Sequence, residues 1–387
     1  MKVIMLLGRS TGGIGTHVAQ LSADLRDRGV DIIVVTHPLT AEHFDLGPVR
    51  PYWPGSAGRA HALRDFRLLR RLVATADIVH AHGHRGGLLA TLATVSTGSS
   101  LGLRVPGRPQ RPRTAKLIVS QHNVVLAGSG RQVLKRLSQR WVARHADLVT
   151  GASSDLVSQA LAFGARRAEL AEVPSPLVPE LLARRPADAA ARLRIRQALF
   201  SSIGLDPDLG LSVPLVVTIS RIAPQKNLPV LVQAASRLRQ RCTWVVIGDG
   251  DPQLVAQLRA QAGVLAARVH FVGSCLEVDQ WLRAAEVFVL PSQWEARALV
   301  VQEAMAAGTP VVATDVGGLH DLVAGTGLLV PPGDPEAIAK ATDHVLADPG
   351  LREELVARGR EVAGGLPDGS DTASRWLAWY SQTLLMT

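Results

Sequence analysis

Residues Pro291–Val312 read PSQWEARALVVQEAMAAGTPVV, and this stretch carries the strongest sequence signal in the chain. It predicts the end of a buried strand, a loop, a helix and the start of a further strand. Strand, helix and strand in this order are typical of a parallel sheet, because parallel neighbours need a long crossover connection. Outward from this stretch, the same pattern recurs in both directions along the chain.

Short β-branched runs alternate with longer amphipathic stretches, which indicates an α/β fold. One series of strands is predicted in the first half of the chain and a second series in the second half. The predicted strands are 2–7, 31–36, 77–81, 116–121, 147–151 and 169–173, then 215–219, 243–247, 269–272, 287–290, 309–313 and 328–330.

The length of 387 residues favours more than one domain. We expect two Rossmann-like parallel-sheet domains, at residues 1–180 and 213–366. Proline, glycine and charged residues in 181–212 predict a linker between them. The amphipathic stretch 367–387 predicts a terminal helix that packs back toward the N-terminal domain.

The composition, 47% apolar and 19% charged, supports a substantial core and excludes general disorder. The net charge of +9 lies in the first half, where residues 1–180 carry 23 basic and 12 acidic side chains. Ile78–Ala146 has no acidic residue, and Ser96–Thr114 predicts a mobile basic loop. The resulting positive potential would attract phosphates, anionic lipid or acidic acceptors. No nucleic-acid partner is expected, because the acid-free stretch contains only Trp141 as a stacking residue.

Two cysteines, Cys242 and Cys275, are too few for a disulfide framework, so we expect a cytoplasmic protein. The opening apolar run is too short for a signal peptide, and no apolar run is long enough to span a membrane. Residues 59–72 and 131–144 form basic amphipathic stretches. They indicate either helices that cover the sheet or peripheral attachment to an anionic inner membrane face.

A glycine loop, Gly8–Val18, follows the first predicted strand and opens a helix. Backbone amides at Gly12, Gly13 and Gly15 could face an anion there, and a tight turn without a ligand is the alternative. The dinucleotide pattern Gly-x-Gly-x-x-Gly is absent, and no carboxylate ends the second strand. An NAD enzyme is therefore disfavoured.

Arg221 and Lys226 lie in the loop after the first strand of the second series. Such a pair can converge on a diphosphate, the arginine through its planar fork and the lysine as a compact charge. A solvated loop is the alternative. Gly248 follows the next strand, where it either approaches a ligand or only shapes the turn.

Two carboxylates, Glu295 and Glu303, lie in the stretch Pro291–Val312, with seven residues between them. Glu295 is predicted at the mouth of a cleft and Glu303 on the helix behind it. Both could then accept hydrogen bonds from hydroxyls of one extended ligand. Solvated charges on a helix are the alternative.

The motifs Gly12–Val18, Arg221–Asn227, Gly248–Gly250 and Glu295–Glu303 occur in this order, with Ala304–Val312 directly after them. This series resembles the retaining family-4 glycosyltransferases of the GT-B fold over essentially the whole chain. The resemblance implies two Rossmann-like domains that face each other across a cleft. It also implies sugar transfer from a nucleoside-diphosphate sugar to a hydroxyl acceptor, which is a small molecule, a glycan or a lipid-linked group.

The resemblance also implies roles for individual residues. Glu295, Arg221 and Lys226 act in catalysis together with His122, which lines the reacting centre. No metal and no cofactor are implied, since the UDP-, GDP- or ADP-sugar is a substrate. The residues implied to bind the nucleotide-sugar are Gly12, Gly13, Gly15, Arg221, Lys226, Gly248, Glu295, Leu299, Val300 and Glu303.

Two departures from the family pattern keep other functions open. Ala296-Arg297-Ala298 stands where relatives usually have Gly-Phe-Gly, and Pro174-Ser175-Pro176 where they have Pro-Asn-Gly. The alternatives are a nucleotide-sugar epimerase or hydrolase of the same fold, or a catalytically silent nucleotide-binding relative. The sequence leaves the oligomeric state open.

Three histidines, His80, His82 and His84, alternate along and just beyond a predicted strand, which would place them on one face. No cysteine or carboxylate accompanies them, so zinc is disfavoured. Imidazoles that line the cleft and meet the acceptor are the preferred interpretation.

Overall fold

The computed structural model describes residues 1–56, 58–98, 115–123, 132–209, 213–265 and 268–386. The chain divides into two compact units. Unit 1 comprises Met1–Pro174 and Gly369–Thr387, and unit 2 comprises Ser175–Asp368. Most of the basic loop predicted at Ser96–Thr114 lies outside the described residues.

Unit 1 contains a parallel sheet of seven strands in the order β3-β2-β1-β4-β5-β6-β7. The order reverses between β1 and β4, which makes the sheet doubly wound. The elements are β1 Lys2–Leu7, α1 Gly13–Asp27, β2 Asp31–Thr36, α2 Pro38–His43, β3 Val49–Arg50, α3 Arg59–Val73, β4 Ile78–His82, α4 Gly83–Gly98, β5 Lys116–Gln121, α5 Gln132–His145, β6 Leu148–Gly151, α6 Ser154–Ala162, β7 Ala168–Leu170 and, from the end of the chain, α16 Gly369–Leu385.

Unit 2 contains a parallel sheet of six strands in the order β10-β9-β8-β11-β12-β13, with its reversal between β8 and β11. Its elements are α7 Val178–Ala183, α8 Ala189–Ser202, β8 Leu215–Ile219, α9 Leu228–Arg237, β9 Thr243–Ile247, α10 Pro252–Gln261, β10 Val269–Gly273, α11 Val278–Ala284, β11 Val287–Leu290, α12 Leu299–Ala307, β12 Val311–Thr314, α13 Gly318–Val323, β13 Leu328–Val330, α14 Pro335–Ala347 and α15 Pro349–Gly364.

The inner strands form because nearly every residue in them is buried, as expected for parallel sheets covered on both faces. In β1, Met5 packs into one core cluster together with Trp376 of α16, while Ile4 packs into a second cluster on the other face. All twelve predicted strands are present, with small shifts at their ends. The strand that sequence reasoning missed is β3, which has only two residues and pairs with β2 at the edge.

The predicted linker at 181–212 is wrong for its helical part. Helix α8 belongs to unit 2, where Phe200 is fully buried and lies against Trp281, with ring centroids 6.1 Å apart. Arg196 donates to both carboxylate oxygens of Glu286 at 2.8 Å. The charged pattern resembled a linker, but these contacts hold the helix on the body of unit 2. Unit 1 also ends at Pro174, before the predicted boundary at residue 180.

Candidate active site

The loops after β8 and β11 carry the candidate residues of unit 2. These two strands are neighbours at the reversal of the strand order. In doubly wound sheets, ligands bind outside the carboxyl ends of the strands at this point. The fold therefore brings Lys226, in the loop after β8, beside Glu295, in the loop after β11.

Three hydrogen bonds join these two loops. The backbone amide of Gln293 donates to the Gln225 carbonyl at 2.8 Å, and the Gln225 side chain donates to the Trp294 carbonyl at 2.8 Å. Lys226 Nζ donates to Glu295 Oε1 at 2.5 Å. The loops thus form one platform, on which a lysine and a carboxylate are already in contact.

Glu295 is held from a second side by a serine that sequence reasoning missed. Ser292 Oγ donates to the same oxygen, Glu295 Oε1, at 2.6 Å, and the Ser292 carbonyl accepts from Thr314 Oγ1 at 2.6 Å. Glu295 is buried, at 7% exposure. Two donors on one oxygen orient this carboxylate and leave Oε2 as the oxygen outside this pair of hydrogen bonds.

The turn at Gly248 supports the segment that carries Arg221. A Cβ atom at Gly248 would lie 2.0 Å from the Ser220 carbonyl oxygen, and its φ of +136° also favours glycine. At Gly250 a Cβ atom would lie 1.9 Å from the Ile222 carbonyl oxygen. Close backbone packing accounts for both glycines, while nucleotide binding at Gly248 stays a prediction. Arg221 itself is exposed at the end of β8.

Glu303 lies on α12 and is buried. Ser175 Oγ donates to Glu303 Oε1 at 2.6 Å, and the Ser175 amide donates to the side-chain oxygen of Gln302 at 3.2 Å. Burial raises the pKa of Glu303, and the hydrogen bond from Ser175 acts in the opposite direction. The serine of the unusual Pro-Ser-Pro segment therefore anchors the predicted ribose-binding carboxylate.

Helix α12 begins at Leu299, and Leu299 and Val300 in its first turn are half-buried. The preceding Ala296 and Ala298 are buried, at 7% and 6% exposure. At the two positions where relatives usually have glycine, this chain thus packs small alanine side chains into the loop.

In unit 1 the glycine loop leads into α1, which begins at Gly13. A Cβ atom at Gly15 would lie 2.2 Å from the ring of Phe44, so packing alone requires glycine there. A Cβ atom at Gly12 would meet nothing within 4 Å. The amide of Gly15 already donates to the Gly12 carbonyl at 2.8 Å and to Ser10 Oγ at 3.1 Å.

Four buried histidines gather at the strand reversal of unit 1: His17 of α1, His80 and His82 of β4, and His122 directly after β5. His82 Nδ1 lies 3.1 Å from His122 Nε2. The His17 ring meets those of His82 and His122 edge-on, at centroid distances of 6.1 and 5.7 Å. The sequence predicted a role for His122 but none for His17, although the place of His17 in the helix after the glycine loop was a usable signal.

The cluster is uncharged at neutral pH. Burial lowers the pKa of His17 to about 4. Burial, with repulsion from His17, lowers the pKa of His122 to about 3. The pKa values of His80 and His82 also fall well below the usual range, through burial and their histidine neighbours.

His80, His82 and His84 do not share one environment, although their alternating spacing predicted that they would lie on one face. The His80 and His82 rings lie in contact with centroids 4.2 Å apart and their planes tilted by 35°. His84 lies in α4, because the strand ends at His82, and its Nε2 bonds Ser138 Oγ of α5 at 3.1 Å. Among the described residues, no group of three histidine, cysteine, aspartate or glutamate side chains is arranged to hold a metal ion.

Helix α5 presents apolar side chains outward. Val133 and Leu134 are each 70% exposed and Leu137 is 55% exposed, on a helix that also carries Lys135 and Arg136. Within the ranges described, no helix is both long and apolar enough to cross a membrane.

Solved structures share this architecture. Anabaena Alr3699/HepE in complex with UDP matches with a TM-score of 0.78 at 19% identity, over 99% of this chain and 100% of that one. The sucrose-phosphate synthase of Thermosynechococcus elongatus matches with a TM-score of 0.77 at 22% identity, over the whole of both chains. The two doubly wound units therefore define a protein of the GT-B fold.

Family models and relatives take the identification further. The model "Glycosyl transferase 4-like domain" matches residues 12–176, and "Glycosyl transferases group 1" matches residues 213–348. The D-inositol 3-phosphate glycosyltransferase of Frankia alni is 30% identical over 89% of this chain and 88% of its own length. The chain belongs to the group 1 glycosyltransferase family, as the sequence motifs predicted.

Other relatives align in part or in full. The D-inositol 3-phosphate glycosyltransferase of Xylanimonas cellulosilytica is 37% identical over 50% of this chain, and that match spans 44% of the relative. The alpha-maltose-1-phosphate synthase of Mycolicibacterium smegmatis is 31% identical over 90% of both proteins.

Proposed function

We propose that this glycosyltransferase moves a sugar from a nucleoside-diphosphate sugar to a hydroxyl acceptor, without a metal ion and with retention of the anomeric configuration. The observation that carries the proposal is the contact between Lys226 and Glu295 at the strand reversal of unit 2. A cation and a hydroxyl-binding carboxylate side by side are what the junction between a diphosphate and a sugar requires.

The reaction breaks the bond between the sugar C1 and the phosphate oxygen and forms a bond between C1 and the acceptor oxygen. Negative charge grows on the departing diphosphate, and fixed cations stabilise that charge most where water is excluded. In the proposed mechanism Arg221 and Lys226 supply this stabilisation. The proton of the acceptor hydroxyl passes to the leaving phosphate oxygen, on the face where the acceptor attacks.

The carboxylates hold the donor on either side of the diphosphate. Glu295 accepts hydrogen bonds from sugar hydroxyls through Oε2, while Lys226 stays bonded to Oε1 and donates its other N–H groups to the phosphates. Glu303, anchored by Ser175, accepts from the ribose hydroxyls. Leu299 and Val300 pack near the nucleotide at the start of α12.

The donor and acceptor panels follow from the relatives. The structure of Anabaena Alr3699/HepE with UDP-glucose makes UDP-glucose the first donor to test, with GDP- and ADP-sugars beside it. Two relatives are named after phosphorylated compounds: one after inositol 3-phosphate, a polyol phosphate, and the other after maltose-1-phosphate, a sugar phosphate. Because residues 1–180 carry an excess of basic side chains, phosphorylated acceptors come first in the acceptor panel.

A thermal-shift screen against nucleoside diphosphates and their sugars tests donor binding, since a ligand of the native state raises the melting temperature. Product analysis with each binding donor then separates the alternatives. A new glycoside with the anomeric configuration of the donor supports the proposal. Free sugar alone supports a hydrolase, an altered nucleotide-sugar an epimerase, and binding without turnover a silent relative.

We further propose peripheral attachment to an anionic membrane surface through α5. Leu134 and Leu137 would enter the interface while Lys135 and Arg136 meet lipid phosphates. Co-sedimentation with phosphatidylglycerol vesicles should exceed that with phosphatidylcholine vesicles and should weaken with salt. A Leu134→Ser variant should bind less, and equal binding to both vesicle types would contradict the proposal.

A further inference from the structure

Two buried histidines meet at the carboxyl ends of neighbouring strands in unit 1. His82 is the last residue of β4, and His122 follows β5. Their rings lie within 10° of parallel, and His82 Nδ1 is 3.1 Å from His122 Nε2. One of these nitrogens must donate and the other accept, so the hydrogen bond couples the protonation of the two rings.

The other nitrogen of His82 determines the direction of this hydrogen bond. His82 Nε2 is buried and has no hydrogen-bond partner among the residues that the structure describes. If His82 carried its proton on Nε2, a buried N–H would have no acceptor, and such groups are rare because they lose their hydration. With the proton on Nδ1, His82 donates to His122 Nε2, and only a lone pair stays unpaired.

The proton of His122 is then fixed as well. Burial and repulsion from His17 lower the pKa of His122, so the ring is neutral at pH 7 and carries one proton. Because Nε2 accepts from His82, this proton lies on Nδ1. The edge-on ring of His17 packs against the same imidazole at 5.7 Å and restricts its rotation.

We propose that His82 is a positioning residue that holds His122 as its Nδ1–H tautomer, so that His122 offers its substrate a hydrogen-bond donor. Such a group binds a sugar hydroxyl oxygen or a phosphate oxygen, and it does not remove the proton of the acceptor hydroxyl. The contact with substrate rests on the proposed function, whereas the tautomer is a property of the ligand-free protein.

The tautomer is measured directly by long-range ¹⁵N–¹H NMR on the histidine-labelled protein without ligand, because protonated and bare ring nitrogens have distinct ¹⁵N shifts. A His122→Gln variant assigns the His122 signals. We expect the proton on Nδ1 in both His82 and His122. A proton on Nε2 of His122 overturns the proposal, whatever the activity of the protein.

Two substitutions at position 82 test the consequence for catalysis. The side-chain amide of His82→Asn can replace the Nδ1–H donor, whereas His82→Leu fills similar space without one. We expect His82→Leu to lose the fixed tautomer and at least about tenfold in kcat, with the donor KM little changed, and His82→Asn to keep most of both. The exposed His344, on α14 of unit 2, provides the control variant His344→Leu.

The outcomes separate the two proposals. Wild-type kcat in folded His82→Leu would overturn the positioning role, and so would an equal loss in the asparagine and leucine variants. If the wild-type protein transfers no sugar from any donor, the proposed function fails, while the NMR result still decides the tautomer. If His82→Leu does not fold, the wild-type spectrum and the asparagine variant carry the test.

Discussion

Acid should weaken unit 1 through its histidine cluster. Each of these rings is neutral in the folded chain, and the unfolded chain binds protons below the ordinary histidine pKa of about 6.5. A histidine whose pKa is lowered by folding therefore stabilises the protein fully above the pKa of the unfolded chain. This stabilisation is lost as the pH falls toward the folded pKa. For His17 and His122, the loss runs from pH 6.5 down to about 4 and about 3.

These pKa values determine how much free energy of unfolding is lost in acid. Between pH 7 and pH 5, His17 should lose about 2 kcal/mol, since 1.36 kcal/mol accompanies each pKa unit over which only the unfolded chain is protonated. His122 should lose about the same, or about 4 kcal/mol for the pair. His80 and His82 act in the same direction. This is a large part of the roughly 5–15 kcal/mol that stabilises an ordinary domain.

Hydrogen exchange followed by mass spectrometry measures this loss, because it gives the opening free energy of each segment separately. Peptides from β1 and β4 report unit 1, and peptides from β8 report unit 2 in the same sample. His17→Leu should reduce the pH dependence of unit 1 by about 2 kcal/mol. The control His145→Leu removes an exposed imidazole of α5 that lies outside the cluster.

Either of two results would contradict a neutral, acid-sensitive histidine cluster in unit 1. One is a change of less than about 1 kcal/mol in the opening free energy of unit 1 between pH 7 and pH 5. The other is a His17→Leu protein that keeps the full pH dependence of the wild type.

Three further predictions concern unit 2. Lys226→Met should lower kcat/KM by about a hundredfold or more, because the leaving group loses a cation. The control Lys340→Met, on the exposed face of α14, should keep the wild-type kcat/KM. Wild-type kcat/KM of Lys226→Met in steady-state assays would contradict the diphosphate role. Ser175→Ala should weaken nucleotide binding in calorimetry and reduce stability to urea by about 1–2 kcal/mol, and unchanged affinity would argue against the ribose contact. Gly250→Ala should destabilise by about 2 kcal/mol or more because its Cβ would meet backbone, while Gly263→Ala, with open space around it, should melt near the wild-type temperature.

The local sequence pattern was sufficient to predict the strands and an α/β fold with two sheets. A buried strand such as β11 must be apolar on both faces, so its run of Val287–Leu290 is visible without knowledge of its neighbours. Helix α8 is the counterexample. Its charged surface indicated a linker, whereas the packing of Phe200 on Trp281 and the ion pair of Arg196 with Glu286 assign it to unit 2.

The sequence by itself also selected Lys226, Glu295, Glu303 and His122, because their spacing repeats a family pattern. It did not pair them with Ser292, Ser175, His82 or His17. Those contacts join residues as far apart as 128 positions along the chain. The histidine contacts of unit 1 and the contact between Lys226 and Glu295 in unit 2 exist because the sheet order makes β1, β4 and β5 neighbours, and β8 and β11 neighbours, and the carboxyl ends of parallel strands meet at one edge. The sequence alone gives the type of each residue. The hydrogen-bond partners, burial and pKa of that residue depend on which parts of the chain the tertiary fold brings together.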